Sequence, residues 1–265
     1  MATVLAPQEY AGDPAVVVDE ARNARDVVRI RREIAGREWA TRHGIGTAET
    51  VAVHPDGLWL VSRRARDEPG EPWSYVLAAF DAASRIQDLP CPDFAGSPTA
   101  WRAPRRSVPL RAARLLRAGV DLREFVAART AFDQLPRSVT VHNDFHRKNV
   151  LNSGTDGRPG SGVTVIDWEL TARGPRHHDL VMLIVDVVDS EVARAAWQLL
   201  LNSVPVQEHP ALATQLRWLT LRTYTSEITS PSDDTDVAKT ARRRERWRAA
   251  QQWADELVTD PREVS

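Results

Sequence analysis

The sequence predicts an α+β fold, with a short strand-and-helix portion followed by a longer, mostly helical one. Three observations predict it. The short strand-like runs fall before residue 65 or between 138 and 166. The chain after Asp179 is a succession of helical patterns separated by prolines. Two short strands in the middle bracket a glycine-rich turn, each next to a cluster of ionisable residues.

Residues 1–13 are polar and unpatterned and read as a loose end. The run 15–18 reads as a strand. Val27, Ile30, Ile34 and Trp39 recur at helical spacing and predict a helix over 21–43, closed by Gly44 and Gly46. Runs at 50–53 and 58–61 flank Pro55-Asp56-Gly57, turn chemistry that predicts a hairpin. Pro69-Gly70 marks a hinge within 63–72. Next come a helix over 73–89, an irregular connection with five prolines over 90–109, and helix over 110–135, with a second segment starting near Asp121. Strands are expected at 138–141, at Val150 and Leu151, and at 163–166, with the glycine-rich turn over 152–162. Residues 180–188 read as a buried apolar helix, and 191–202, 211–228 and 236–258 as three more. His177 and His178 read as surface residues, Trp168 as packing, and the arginine run 242–246 as a solvated helix face.

Composition narrows the function classes. A chain of 265 residues is enough for one large domain or two small ones. Its 42% hydrophobic and 27% charged residues argue against wholesale disorder. A net charge of -1 gives no support to gripping nucleic acid. The single cysteine, Cys91, rules out an intrachain disulfide and a cysteine-rich zinc site. No apolar run approaches the ~20 residues of a membrane span, and 1–9 carry no signal pattern. A cytoplasmic protein with neither nucleic-acid nor membrane partner is expected. Lys148 and Lys239 are the only lysines.

Two polar clusters carry the chemistry. In the first, Asp144 follows a strand and Asn149 lies five positions on. In the second, Asp167 ends the next strand. A hairpin of those strands would bring Asn149 and Asp167 together. One amide oxygen plus one carboxylate is a hard-oxygen set suited to Mg2+, which fills its remaining positions with water and phosphate oxygens. Asp144 is then left to orient and deprotonate a hydroxyl, the layout that phosphoryl transfer requires.

The clusters read His142-Asn143-Asp144-Phe145-His146-Arg147-Lys148-Asn149 and Ile166-Asp167-Trp168-Glu169, followed by Gly174-Pro175-Arg176-His177-His178-Asp179-Leu180. This order and spacing resembles the aminoglycoside phosphotransferase and choline kinase family, relatives of the protein kinases. The resemblance implies a two-lobed protein-kinase-like fold, with a reduced, β-containing N-terminal lobe over 1–65 and a mostly helical C-terminal lobe over 66–265. The catalytic loop would be 142–149 and the metal-binding segment 166–169. Asp144 would be the catalytic base, and His146 would donate a hydrogen bond near the transferring phosphate. Asn149 and Asp167 would hold Mg2+ against the phosphates of ATP or GTP, and Glu169 would touch a second metal or its water. His142 would pack under the loop, and Asp179 would accept hydrogen bonds from its backbone. Glu33, with Glu38 as runner-up, and Lys148 would serve the nucleotide.

The first portion departs from the family's pattern. A kinase-like small lobe carries a glycine-rich phosphate loop and a strand lysine paired to a helix glutamate. Here the strand at 15–18 has no lysine, Gly12 stands alone, and about a dozen residues precede the strand. Arg25, Arg29 or Arg31 is the substitute cation the sequence offers. Walker-type loops are also absent.

In this family the later helices form the acceptor pocket, and here they carry Asp186, Asp189, Glu191, Glu227, Asp233, Asp234 and Asp236. If several line the cleft, they would draw a cationic acceptor. The expected function is Mg2+-dependent transfer of a nucleotide γ-phosphate to a hydroxyl of a small, amino-bearing molecule such as an aminoglycoside-like antibiotic. The alternatives are a catalytically silent kinase-like binding protein and a kinase for Ser or Thr hydroxyls of a biosynthetic peptide.

Overall fold

A computed structural model describes residues 7–94, 108–153, 162–229 and 237–259. By Cα proximity the chain forms two compact units. One comprises Met1–Pro98 and Ser138–Asp179, the other Thr99–Arg137 and Leu180–Ser265.

The first unit opens with strand β1 (Val16–Glu20) and helix α1 (Ala24–Arg42), then strands β2 (Thr50–Val53) and β3 (Trp59–Arg63). Both neighbours of β3 are antiparallel, giving the order β1-β3-β2. Helix α1 starts where it does because the Asn23 side chain accepts from the amides of Arg25 and Asp26. Its apolar stripe of Val27, Ile30 and Ile34 packs with Ala21, Leu58 and Leu60. Further along, Trp39 meets Trp168 edge-on, so one helix joins the sheet to the second polar cluster.

Helix α2 (Pro72–Asp88) begins on a Glu71 side-chain cap with proline in its first turn. It packs on β4 (Val139–Val141) and β6 (Val163–Val165). β4 pairs with β7 (Ala172–Gly174), and β5 (Val150–Asn152) with β6, both antiparallel. β7 is an addition to the sequence reading. Three residues are too short a run to carry a strand signal until β4 supplies a partner.

In the second unit, α7 (His209–Thr229) is buried along most of its length and packs with α3 (Val108–Arg117), α4 (Leu122–Asp133) and α8 (Val237–Thr259). Leu115, Val120, Leu221, Tyr224 and Trp247 form a core cluster there. Asp121 and Asp189 cap α4 and α6 (Ser190–Ser203). The proline-rich stretch 95–107, the glycine-rich turn 154–161 and the first six residues lie outside the described residues.

Two surface expectations are corrected. His177 and His178 are buried, because they lead into α5 (His178–Asp186), whose Leu180, Val181, Leu183 and Ile184 are all interior. In the arginine run, Arg246 is buried and donates to the carbonyls of Ile184 and Val187, satisfying the end of α5. Arg242 and Arg244 do face solvent.

Candidate active site

The loop 142–149 joins β4 to β5, and its first turn is held from below. The buried Asp179 accepts the His142 amide at 2.7 Å on Oδ2 and the Asn143 amide at 2.9 Å on Oδ1. Asn143 is left-handed, with φ 67, a conformation its short polar side chain tolerates. Burial pushes the Asp179 carboxyl up to about 7, against the pull of those two N–H groups. His142 is fully buried, which pulls its pKa down to about 4 and keeps the ring neutral. Its Nε2 lies 3.0 Å from the Ile166 carbonyl, and the ring meets Phe145 and Trp168 edge-on.

This turn presents Asp144. The Asn149 Nδ2 donates to Asp144 Oδ2 at 2.9 Å and to the Asp144 carbonyl at 3.1 Å. With Nδ2 so engaged, Oδ1 is the atom of Asn149 suited to a cation. His146 Nδ1 accepts the Lys148 amide at 3.2 Å, so in the neutral ring the proton sits on Nε2, 3.4 Å from Asp144 Oδ2. The Lys148 side chain is exposed.

Asp167 arrives on the neighbouring strand. Val150 pairs with Val165, and the Ile166 amide donates to the Asn149 carbonyl at 2.8 Å. Asp167 itself is left-handed, with φ 67 and ψ 57, so the chain turns sharply as it leaves β6. Its carboxyl is raised to about 7, first by burial, then by the charges of Glu169, Glu33 and Asp144, with Arg29 opposing. Glu169 is raised as well, chiefly by burial. Carboxylates gathered this closely repel one another and favour a hard cation. Among the described residues no group of three His, Cys, Asp or Glu side chains forms a metal site. Mg2+ needs none, since one amide oxygen and one carboxylate are completed by water and phosphate oxygens. The residues present fit that ion.

Residues 9–213 match the phosphotransferase enzyme family. The chain belongs to this family. No curated protein matches it. Among solved structures it is similar to a choline/ethanolamine kinase family protein from Mesorhizobium loti, at 15% identity and TM-score 0.52, covering 94% of this chain and 84% of that one. It is also similar to the amicoumacin kinase hAmiN in complex with AMP-PNP, Ca2+ and Ami, at 14% identity and TM-score 0.56, covering 88% and 81%. A third is the spectinomycin phosphotransferase APH(9)-Ia in complex with ADP and spectinomycin, at 10% identity and TM-score 0.52, covering 92% and 86%. At these identities the likeness is one of fold, the kinase-like fold anticipated from the motifs.

In this phosphotransferase-family chain, Glu33 is buried and Glu38 exposed. Glu33 Oε1 accepts from Arg37 Nε at 2.6 Å on the same helix. Of the three arginines offered as substitutes, Arg31 donates to the Asp56 carbonyl. Arg29 reaches Glu169 at 3.1 Å and Asp19 of β1 at 3.5 Å. Sequence reasoning missed Gly36. A Cβ there would collide with the Trp168 side chain, so its absence lets α1 lie against the turn that follows Asp167.

The acidic residues weighed for the acceptor are mostly engaged within the second unit. Glu227 pairs with Arg243 and Lys239, Asp186 with Arg243, and Asp189 caps α6. Glu191 is exposed in the first turn of α6. Asp233, Asp234 and Asp236 lie outside the described residues.

Proposed function

We propose that this chain is a metal-dependent phosphotransferase that moves the γ-phosphate of ATP or GTP to a hydroxyl of a small, amino-bearing molecule such as an aminoglycoside-like antibiotic. One observation carries the reading. Asn149 donates from Nδ2 to the carboxylate and the carbonyl of Asp144, and its strand β5 is bonded to β6, which leads into Asp167. That arrangement supports Asn149 and Asp167 as oxygen ligands beside Asp144 as the base.

Asn149 Oδ1 and Asp167 would hold Mg2+, with Glu169 on a second ion or its water. The metal supplies charge neutralisation for the phosphate oxygens. Asp144 orients the acceptor hydroxyl and takes its proton as that oxygen bonds to the γ-phosphorus. The bond from phosphorus to the bridging oxygen breaks, and its electron pair leaves with the nucleoside diphosphate. His146 donates from Nε2 to the Asp144 carboxylate or to the phosphate in transit. Asp179 and His142 keep the loop in shape. Residues 1–65 cover the nucleotide, helped by Glu33 and Lys148, and 66–265 carry the catalytic loop and metal segment. The amine of the acceptor is suggested by the choline/ethanolamine and spectinomycin enzymes of the same fold.

The test is transfer from γ-labelled ATP or GTP, with Mg2+, to a panel of hydroxylated amines. Asp144→Asn and Asp167→Ala should each lower the rate by about 100-fold or more. Transfer that survives both changes contradicts the site.

A further inference from the structure

Chemistry on a metal-bound triphosphate needs a protein cation facing the phosphates. β1 presents Asp19 and Glu20 and no base. The buried Glu33 engages Arg37 of its own helix through Oε1, both side chains under a tenth exposed. Lys148 is the sole lysine of this unit.

Arg29 is placed differently. It sits one helical turn before Glu33 on α1, so both lie on the same side of that helix. Its Nη1 is 3.1 Å from Glu169 Oε2, and its Nη2 is 3.5 Å from Asp19 Oδ1. Asp19 is paired across β1 and β3 with Leu60, a residue that α1 packs against, so Asp19 emerges on the helix side of the sheet. The Arg29 side chain is 39% exposed and open to a ligand.

We infer that Arg29 is the nucleotide's phosphate-binding cation, held ready by Asp19 and Glu169 and exchanging the longer Asp19 contact for phosphate oxygens. The inference rests on the phosphotransferase reading. A partly exposed ion pair is weak, whereas a guanidinium on phosphate makes short, charge-assisted bonds through two nitrogens. The exchange is therefore favourable. The strand carries the acid and the helix the base, the reverse of a strand lysine facing a helix glutamate.

The competing role is a plain tie between α1, β1 and the turn after Asp167. Calorimetric titration separates the two. Wild type, Arg29→Gln and Arg29→Lys are titrated with Mg–ATP, Mg–ADP and adenosine, and their melting temperatures are recorded. Arg29→Gln should weaken Mg–ATP binding by about 10-fold or more, leave adenosine unchanged, and be partly rescued by lysine. Unchanged Mg–ATP affinity in Arg29→Gln, or an equal loss for adenosine, overturns the inference and leaves the phosphotransferase reading standing. A wild-type chain that binds neither Mg–ATP nor Mg–ADP overturns both.

Discussion

Asp167 pairs a left-handed backbone with a carboxyl crowded by Glu169, Glu33 and Asp144. Both features oppose folding in the absence of a cation. Its folded pKa of about 7 lies above the ordinary value of 3.8. The stability tied to this group is therefore complete below the ordinary value and lost as pH rises through the folded one. Asparagine keeps the left-handed conformation without the charge. Metal-free Asp167→Asn should be more stable than wild type by roughly 1–3 kcal/mol at about pH 8, with the gain gone by about pH 4. Urea unfolding at the two pH values measures it, and an equal difference at both contradicts the crowding. Asp144, Asn149 and Asp167 were legible in the sequence because each lies within one short segment whose spacing sets its neighbours. Arg29 was named only as one of three candidates, since its partner Glu169 lies 140 positions away and only packing selects it. His177 and His178 were misread because polarity was weighed without the apolar helix they introduce.

At the scale of elements, α1 matters through how closely it can approach the turn after Asp167. A Cβ on Gly36 would collide with the Trp168 side chain. A helical glycine is otherwise a liability in a 19-residue helix. Gly36→Ala should therefore cost about 1–3 kcal/mol despite alanine's better helix propensity, and it should weaken metal-dependent nucleotide binding by moving Asp167. Urea midpoints and calorimetry report the two effects, and a variant as stable as wild type with unchanged binding contradicts this packing role. The helices were legible from apolar periodicity and, for α4, from Asp121 near its start; the caps Asn23 and Asp189 emerge only in the structure. β7 was not legible, because a three-residue strand acquires its identity from β4. The buried Arg246 was hidden for a related reason. A run of like charges reads as solvated until a helix terminus needs its donors.

For the whole molecule, the family match over residues 9–213 and the kinase-like fold agree with the three sequence motifs. Among the described residues no helix is long and apolar enough to cross a membrane. The central claim is that Asn149, Asp167 and the loop carrying Asp144 gather a metal-bound nucleotide. Thermal melting of wild type and Asp167→Ala, each with a nonhydrolysable ATP analogue and increasing Mg2+, tests it most directly. Binding to the folded state alone raises the melting temperature by mass action. The expected result is a Mg2+-dependent rise in wild type that Asp167→Ala lacks. No rise in either protein, or the same rise in both, would contradict the account.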